Sequence, residues 1–206
     1  MKQRWFDRCE RYLGVLCMPQ LAAFLVGMNA VVWVMTMLRP DFAAVLSLEP
    51  ELVMRGQVWR LFTFLLIPPT SSPLGMFLWL YLFYIYATAL ETEWGDFRFN
   101  LFYGIGVVST AAASMAAGVG LSNAVLNSTI FLAFAALYPD FELLLLFILP
   151  VKVKWLAWLA WAAIGWSTLV GDAVTRLTLV AGLVNYGVFF GADHWMDLKL
   201  RLKRRR

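Results

Sequence analysis

Long apolar runs broken by short polar stretches dominate the chain, and their lengths predict the elements. A bilayer-crossing helix needs roughly 17–25 mostly apolar residues. Six stretches of about that length occur, at about 13–38, 73–90, 99–118, 121–138, 153–171 and 177–192, the last of them short. Two more apolar pieces, LFTFLLI at 61–67 and LLLLFIL at 143–149, are too short to cross, and proline follows each. They predict interfacial or re-entrant segments. The pattern as a whole predicts an all-α integral membrane protein. Its six-helix membrane domain spans 13–192, between an N-terminal segment at 1–12 and a basic tail at 193–206. The first span is too long for the apolar core of a cleaved signal peptide, and MKQRWFDRCER before it carries both signs of charge, so it is expected to be retained.

Composition narrows the class. Of 206 residues, 62% are apolar and 15% charged, too apolar for an ordinary soluble core. Two cysteines and one histidine give no disulfide framework and too few soft ligands for zinc, so neither metal nor cofactor is expected. The net charge of +4 does not read as a nucleic-acid footprint, because the basic residues cluster at the chain ends beside apolar spans. Membrane orientation accounts for them instead. With both termini and the 2–3 and 4–5 loops in the cytosol, 13 Lys and Arg fall inside and 4 (Arg39, Arg55, Arg60, Arg176) outside. The tail KLRLKRRR is then expected on anionic headgroups. The first outer loop, about 39–72, is the longest connection, and its Trp59 and Arg60 read as interface anchors or as functional residues.

The stretch GLSNAVLNSTIFLAFAALYPD raises the question of a nucleophile, because Ser122 and Ser128 head the fourth span. A nucleophilic serine needs a base within hydrogen-bond reach. In this orientation both serines lie near the outer face, whereas the sole histidine, His194, and all five lysines are cytoplasmic. That separation is on the order of 20–30 Å. The spans carry weakly polar residues instead: Asn29, Ser109, Thr110, Ser114, Asn123, Asn127, Ser128, Thr129 and Asn185. Hydrogen bonding within and between helices is the plainer role for these. GVFFG, Gly187 to Gly191, is a GxxxG spacing, and GIGVVSTAAASMAAG is a small-residue run; together they predict close packing of the third, fourth and sixth helices.

Six spans, a long first outer loop containing VWRLFT, and LETEWGDFRFNLFY after the second span together resemble the rhomboid superfamily of intramembrane serine proteases. Trp59 and Arg60 match its first-loop pair, and Glu91 and Gly95 match its glutamate and glycine before the third helix. YPDFELLLLFILPVKVKWLAWL and AGLVNYGVFFG are similar to its later landmarks, so the resemblance covers most of the chain from about residue 50.

The resemblance implies a site that is vacant here. At the nucleophile position stands Asn127 or, by a second register, Ala124. Val180 occupies the histidine position, and Gly75 and Trp79, or Pro73 and Phe77, occupy the oxyanion pair. Losing any triad member removes about 10⁴-fold or more of the rate. The expected function is therefore that of the inactive branch, which includes iRhoms and derlins: recognising transmembrane segments of other proteins, or thinning the bilayer locally. SPLGMFLWLYLFYIYATALE is also somewhat similar to the derlin second helix. Asn123, Asn127, Ser128 and Asn185 are the candidate polar residues of a client groove, and a bacterial inner membrane is the preferred location. Two other classes compete. One is a protease with an unorthodox site on Ser128 or Ser122; the other is a small-molecule transporter or channel, which the scarcity of charge in the spans disfavours.

Overall fold

The computed structural model describes residues 17–145 and 149–204, with side chains for 17–143 and 150–191. The expectations placed on 1–12, and the side chains of His194 and of the basic tail, lie outside the described residues.

Of the first expected span, 13–38, residues 13–16 lie outside the described residues, 17–20 are not helical, with a turn at Pro19 and Gln20, and α1 is Leu21–Leu38. Gln20, at φ 56°, takes a left-handed conformation that a helix cannot continue through. The first N–H groups of a helix have no partner in their own turn, and here Glu91 supplies one. Its Oε1 accepts from Leu21 N at 2.7 Å and its Oε2 from Ala22 N at 3.4 Å. Asn100 holds the preceding turn, accepting from Met18 N at 3.1 Å and donating to Met18 O at 2.9 Å.

The outer loop folds into α2 (Phe42–Leu46), α3 (Pro50–Met54) and α4 (Arg60–Thr63), which runs into a 3-10 turn over Phe64–Leu66. The LFTFLLI piece is thus a broken helical segment and does not cross. Next, α5 spans Pro73–Trp94, with Ser72 Oγ accepting from Gly75 N at 3.4 Å and Pro73 in its first turn. Gly95, at φ 79°, makes the corner into α6 (Asp96–Ala117), where a side chain would be strained. The fourth expected span is shorter than read: α7 is Ala124–Leu137, 14 residues in place of 121–138.

LLLLFIL was expected to be interfacial or re-entrant; the described chain around it forms two antiparallel strands, β1 (Glu142–Leu145) and β2 (Leu149–Lys152), Glu142 opposite Lys152. The expectation of an all-α chain is corrected to that extent. Pro150 sits where a helix would need its N–H, whereas a two-stranded edge tolerates it. α8 (Val153–Val170) follows, then α9 (Ala173–Arg204), which starts four residues earlier than expected and stays helical well past residue 192. Its apolar portion, Ala173–Gly191, is 19 residues, so the stretch expected to be a short last span is long enough to cross. Five described helices are long and apolar enough to cross a membrane: α1, α5, α6, α8 and the first part of α9. The class these helices define is a multi-pass, predominantly helical membrane protein.

Candidate functional site

The interior of the bundle is built where α6, α7 and α9 meet. Gly106 on α6 lies so close to its neighbours that a Cβ there would overlap Leu126 of α7 and approach Asn185 Nδ2 of α9 to 2.9 Å. Gly182 on α9 is equally crowded, against Val125 and Leu126. This proximity lets buried polar groups reach across. Asn185 Nδ2 donates to Thr129 Oγ1 at 2.9 Å, Thr129 Oγ1 donates to Leu126 O at 2.7 Å, and Ser109 Oγ donates to Ala181 O at 2.7 Å. Each bond removes a polar group that would be costly to leave unpaired in an apolar interior.

Gly106 lies in the small-residue run expected to pack here, but on α9 the expected pair, Gly187 and Gly191, is not the one in contact. Gly187 and Gly191 have open space where a Cβ would go, and both are exposed. Helix periodicity explains the difference: residues 182 and 185 share the inward face, and Gly187 and Gly191 turn away from it. The GxxxG spacing is real in the sequence but does not mark the bundle contact.

At the head of α7, the GLSN stretch is fastened to the outer loop. A Cβ on Gly120 would meet Leu48 O at 2.8 Å, so only glycine allows that approach. Asn123 Nδ2 lies 3.1, 3.0 and 3.0 Å from Phe64 O, Leu65 O and Ile67 O, its two N–H groups shared among the three carbonyls at the end of the 3-10 turn. Asn123 and Asn185 are both buried, and their amides face protein partners rather than a groove. Asn127 and Ser128 differ. Ser128 is exposed and its Oγ donates back to Ala124 O at 2.9 Å, whereas Asn127 is half-buried and its Nδ2 has no partner among the described residues. Ser122, also exposed, accepts at 3.5 Å from Ala124 N.

Neither Lys152 nor Lys154 is near these serines, and the carboxylate of Glu49, which lies against Gly120, makes no hydrogen bond to Ser122 or Ser128. Lys152 and Lys154 hold Asp140, beyond the other end of α7, about 20 Å from Ala124 by helix rise. Gly182 stands level with Val125, and the backbone of His194 lies about 18 Å further along α9. The positions that the resemblance assigns to catalysis do not converge either. Val180 is 65% exposed on the face of α9 turned away from α7, Pro73 and Phe77 are exposed, and Gly75 sits at the mouth of α5 beside Thr70. Trp79 stacks on Phe83 at 4.8 Å and packs on the core.

Two landmarks have structural roles. Arg60 was weighed as an interface anchor, but it is buried: Nε donates to Gln57 Oε1 at 2.8 Å, and Nη1 donates to Ala44 O and Ser47 O, each at 2.7 Å. Those carbonyls end α2, where a cation complements the helix terminus. Trp59 is 47% exposed, as an anchor requires. Gly106 and Ser109 lie in the small-residue run that predicted close packing of the third, fourth and sixth helices; sequence reasoning did not single out Gly182 or Asn100, each small or polar amid apolar residues as dozens of other positions are. Among the described residues, no group of His, Cys, Asp and Glu could hold a metal ion.

No family model matches the chain, and no curated protein matches it.

Proposed function

We propose that this protein is a catalytically inactive, rhomboid-like membrane protein that binds transmembrane segments of other proteins. In this reading the bundle has six spans, with α7 as the short fourth, and both termini face the cytosol of a bacterial inner membrane. The observation that carries the proposal is Asn127: of the five buried side-chain atoms without a partner among the described residues, its Nδ2 is the one on α7, beside exposed Ser128 at that helix's head. A donor left unpaired in an apolar setting favours a rotation of the half-buried Asn127 side chain that brings its Nδ2 to an acceptor on a second transmembrane segment. The short α7 adds to this. Its 14 residues rise about 21 Å, less than the ~30 Å hydrocarbon thickness, so its polar head sits at a depth where a lateral partner can meet it. The same shortness favours local bilayer thinning.

The runner-up is a protease on Ser122 or Ser128, and a fluorophosphonate probe separates the two. No labelling of the purified protein is expected. Labelling that disappears in Ser128→Ala or Ser122→Ala would replace the binding reading with the enzymatic one.

A further inference from the structure

A cleft of about 380 Å³ opens between α7, α8 and α9 at the strand-pair end of the bundle, within the usual range for small-molecule pockets, roughly 300–1,000 Å³. Its walls are Leu132, Ala135 and Ala136 from α7, Trp158 and Trp161 from α8, and Tyr186 from α9. The cleft exists because α8 packs lightly: of its 18 residues only Val153 is buried, and the large Trp158 and Trp161 rings stand off the small Ala135 and Ala136. One charged group lines it among the described residues, Lys154.

The charges at its mouth are specific. Asp140 Oδ1 accepts from Lys154 Nζ at 2.8 Å and lies 3.6 Å from Lys152 Nζ, so one carboxylate oxygen serves two ammonium groups. Each ammonium has three donor protons. Several therefore remain free to meet another anion, beside an apolar slot that opens to the side. Glu142 stands opposite Lys152 in the strand register and is the second acid nearby. A basic mouth on an apolar slot between transmembrane helices is the arrangement that takes lipid phosphate.

We propose that this cleft binds an anionic phospholipid, its acyl chain between Ala135, Ala136, Trp158 and Trp161 and its phosphate on Lys152 and Lys154. The site is separate from the head of α7 and does not depend on the client-binding reading. Its occupant braces the side of α8 that the protein leaves unpacked.

Native mass spectrometry of the full chain, delipidated and titrated with phosphatidylglycerol or phosphatidylcholine, tests the assignment. One phosphatidylglycerol is expected to be retained in preference to phosphatidylcholine. Lys152→Ala with Lys154→Ala reduces that preference at least about fivefold, within the range of a lost charged hydrogen bond. Ala136→Trp, which fills the slot at an exposed position, removes retention of either lipid. Asp140→Asn, which frees both lysines from their carboxylate, raises phosphatidylglycerol retention; a variant that had merely unfolded the strand pair would lower it. Equal retention of the two lipids, retention unchanged by the lysine and Ala136 variants, or the same lysine-dependent binding of inorganic phosphate alone would overturn the proposal.

Discussion

At the scale of single residues, the strongest constraints come from side chains that satisfy backbone groups. Asn123 closes three carbonyls of the outer loop, Glu91 caps α1, and Arg60 caps α2. Each partner carbonyl or N–H would otherwise be stranded in an interior with little water. Asn123→Ala is accordingly expected to cost about 1–3 kcal/mol in a denaturation series in mild detergent, while Ser128→Ala stays within about 0.5 kcal/mol. A Ser128→Ala loss as large as that of Asn123→Ala would show that Ser128 bears structure its one back-bond does not explain. Asn123 stood out in the sequence as polar in an apolar span, but the amide's direction did not. Its partners lie 56 to 59 residues away, and no local pattern records that distance.

At the scale of elements, close helix contact needs small residues on the inward face, and the face is decided by the fold. Gly187 and Gly191 carry the familiar spacing, while the crowded positions are Gly106 and Gly182. Helix existence was legible from apolar length for α1, α5, α6, α8 and α9; helix facing was not, because helices that are apolar all round carry little periodic signal. The strand pair was illegible for a related reason: LLLLFIL has no alternation to separate strand from helix. The packing account predicts that Gly106→Val and Gly182→Val each cost about 1–3 kcal/mol through overpacking, whereas Gly187→Val and Gly191→Val change stability by about 0.5 kcal/mol or less. Thermal melting of the purified variants measures the difference, and destabilisation by Gly187→Val equal to that by Gly182→Val would put a helix contact on the wrong face.

The join between α7 and α8 is also held electrostatically. The Lys154 ammonium, bonded to Asp140 and aided by the charge of Lys152, holds that carboxyl below the ordinary aspartate range. The folded pKa lies below the unfolded one, so the pair's contribution is present above the unfolded value and fades as pH falls through the lowered folded value. A carboxyl-carbon NMR titration should find Asp140 with a low midpoint that Lys154→Ala moves back up. An Asp140 midpoint indifferent to that substitution would mean the pair does not persist in solution.

For the whole molecule, the pieces form a membrane bundle joined inside by hydrogen bonds and small residues, with buried polar atoms left unpartnered among the described residues on α1 (Asn29, Trp33), α5 (Thr88), α6 (Thr110) and, at the head of α7, Asn127. The sequence carried the membrane class through apolar length. It could not carry the outward turn of Val180, or the burial of Asn123 and Asn185, because both depend on how α9 and the outer loop pack on α7. What remains of the candidate groove is Asn127 with its unused donor and Ser128 beside it. Binding without cleavage is the central claim, and both halves can be read in one experiment. A photo-crosslinking residue replaces Ser128, with Ala136 as a control on the far end of α7, in nanodiscs containing a fluorescent single-span peptide. The account predicts an adduct from position 128 that contains the intact peptide, and none above background from 136. Equal adducts from both positions, or a shortened peptide in the unsubstituted protein that Ser128→Ala or Ser122→Ala abolishes, would contradict it.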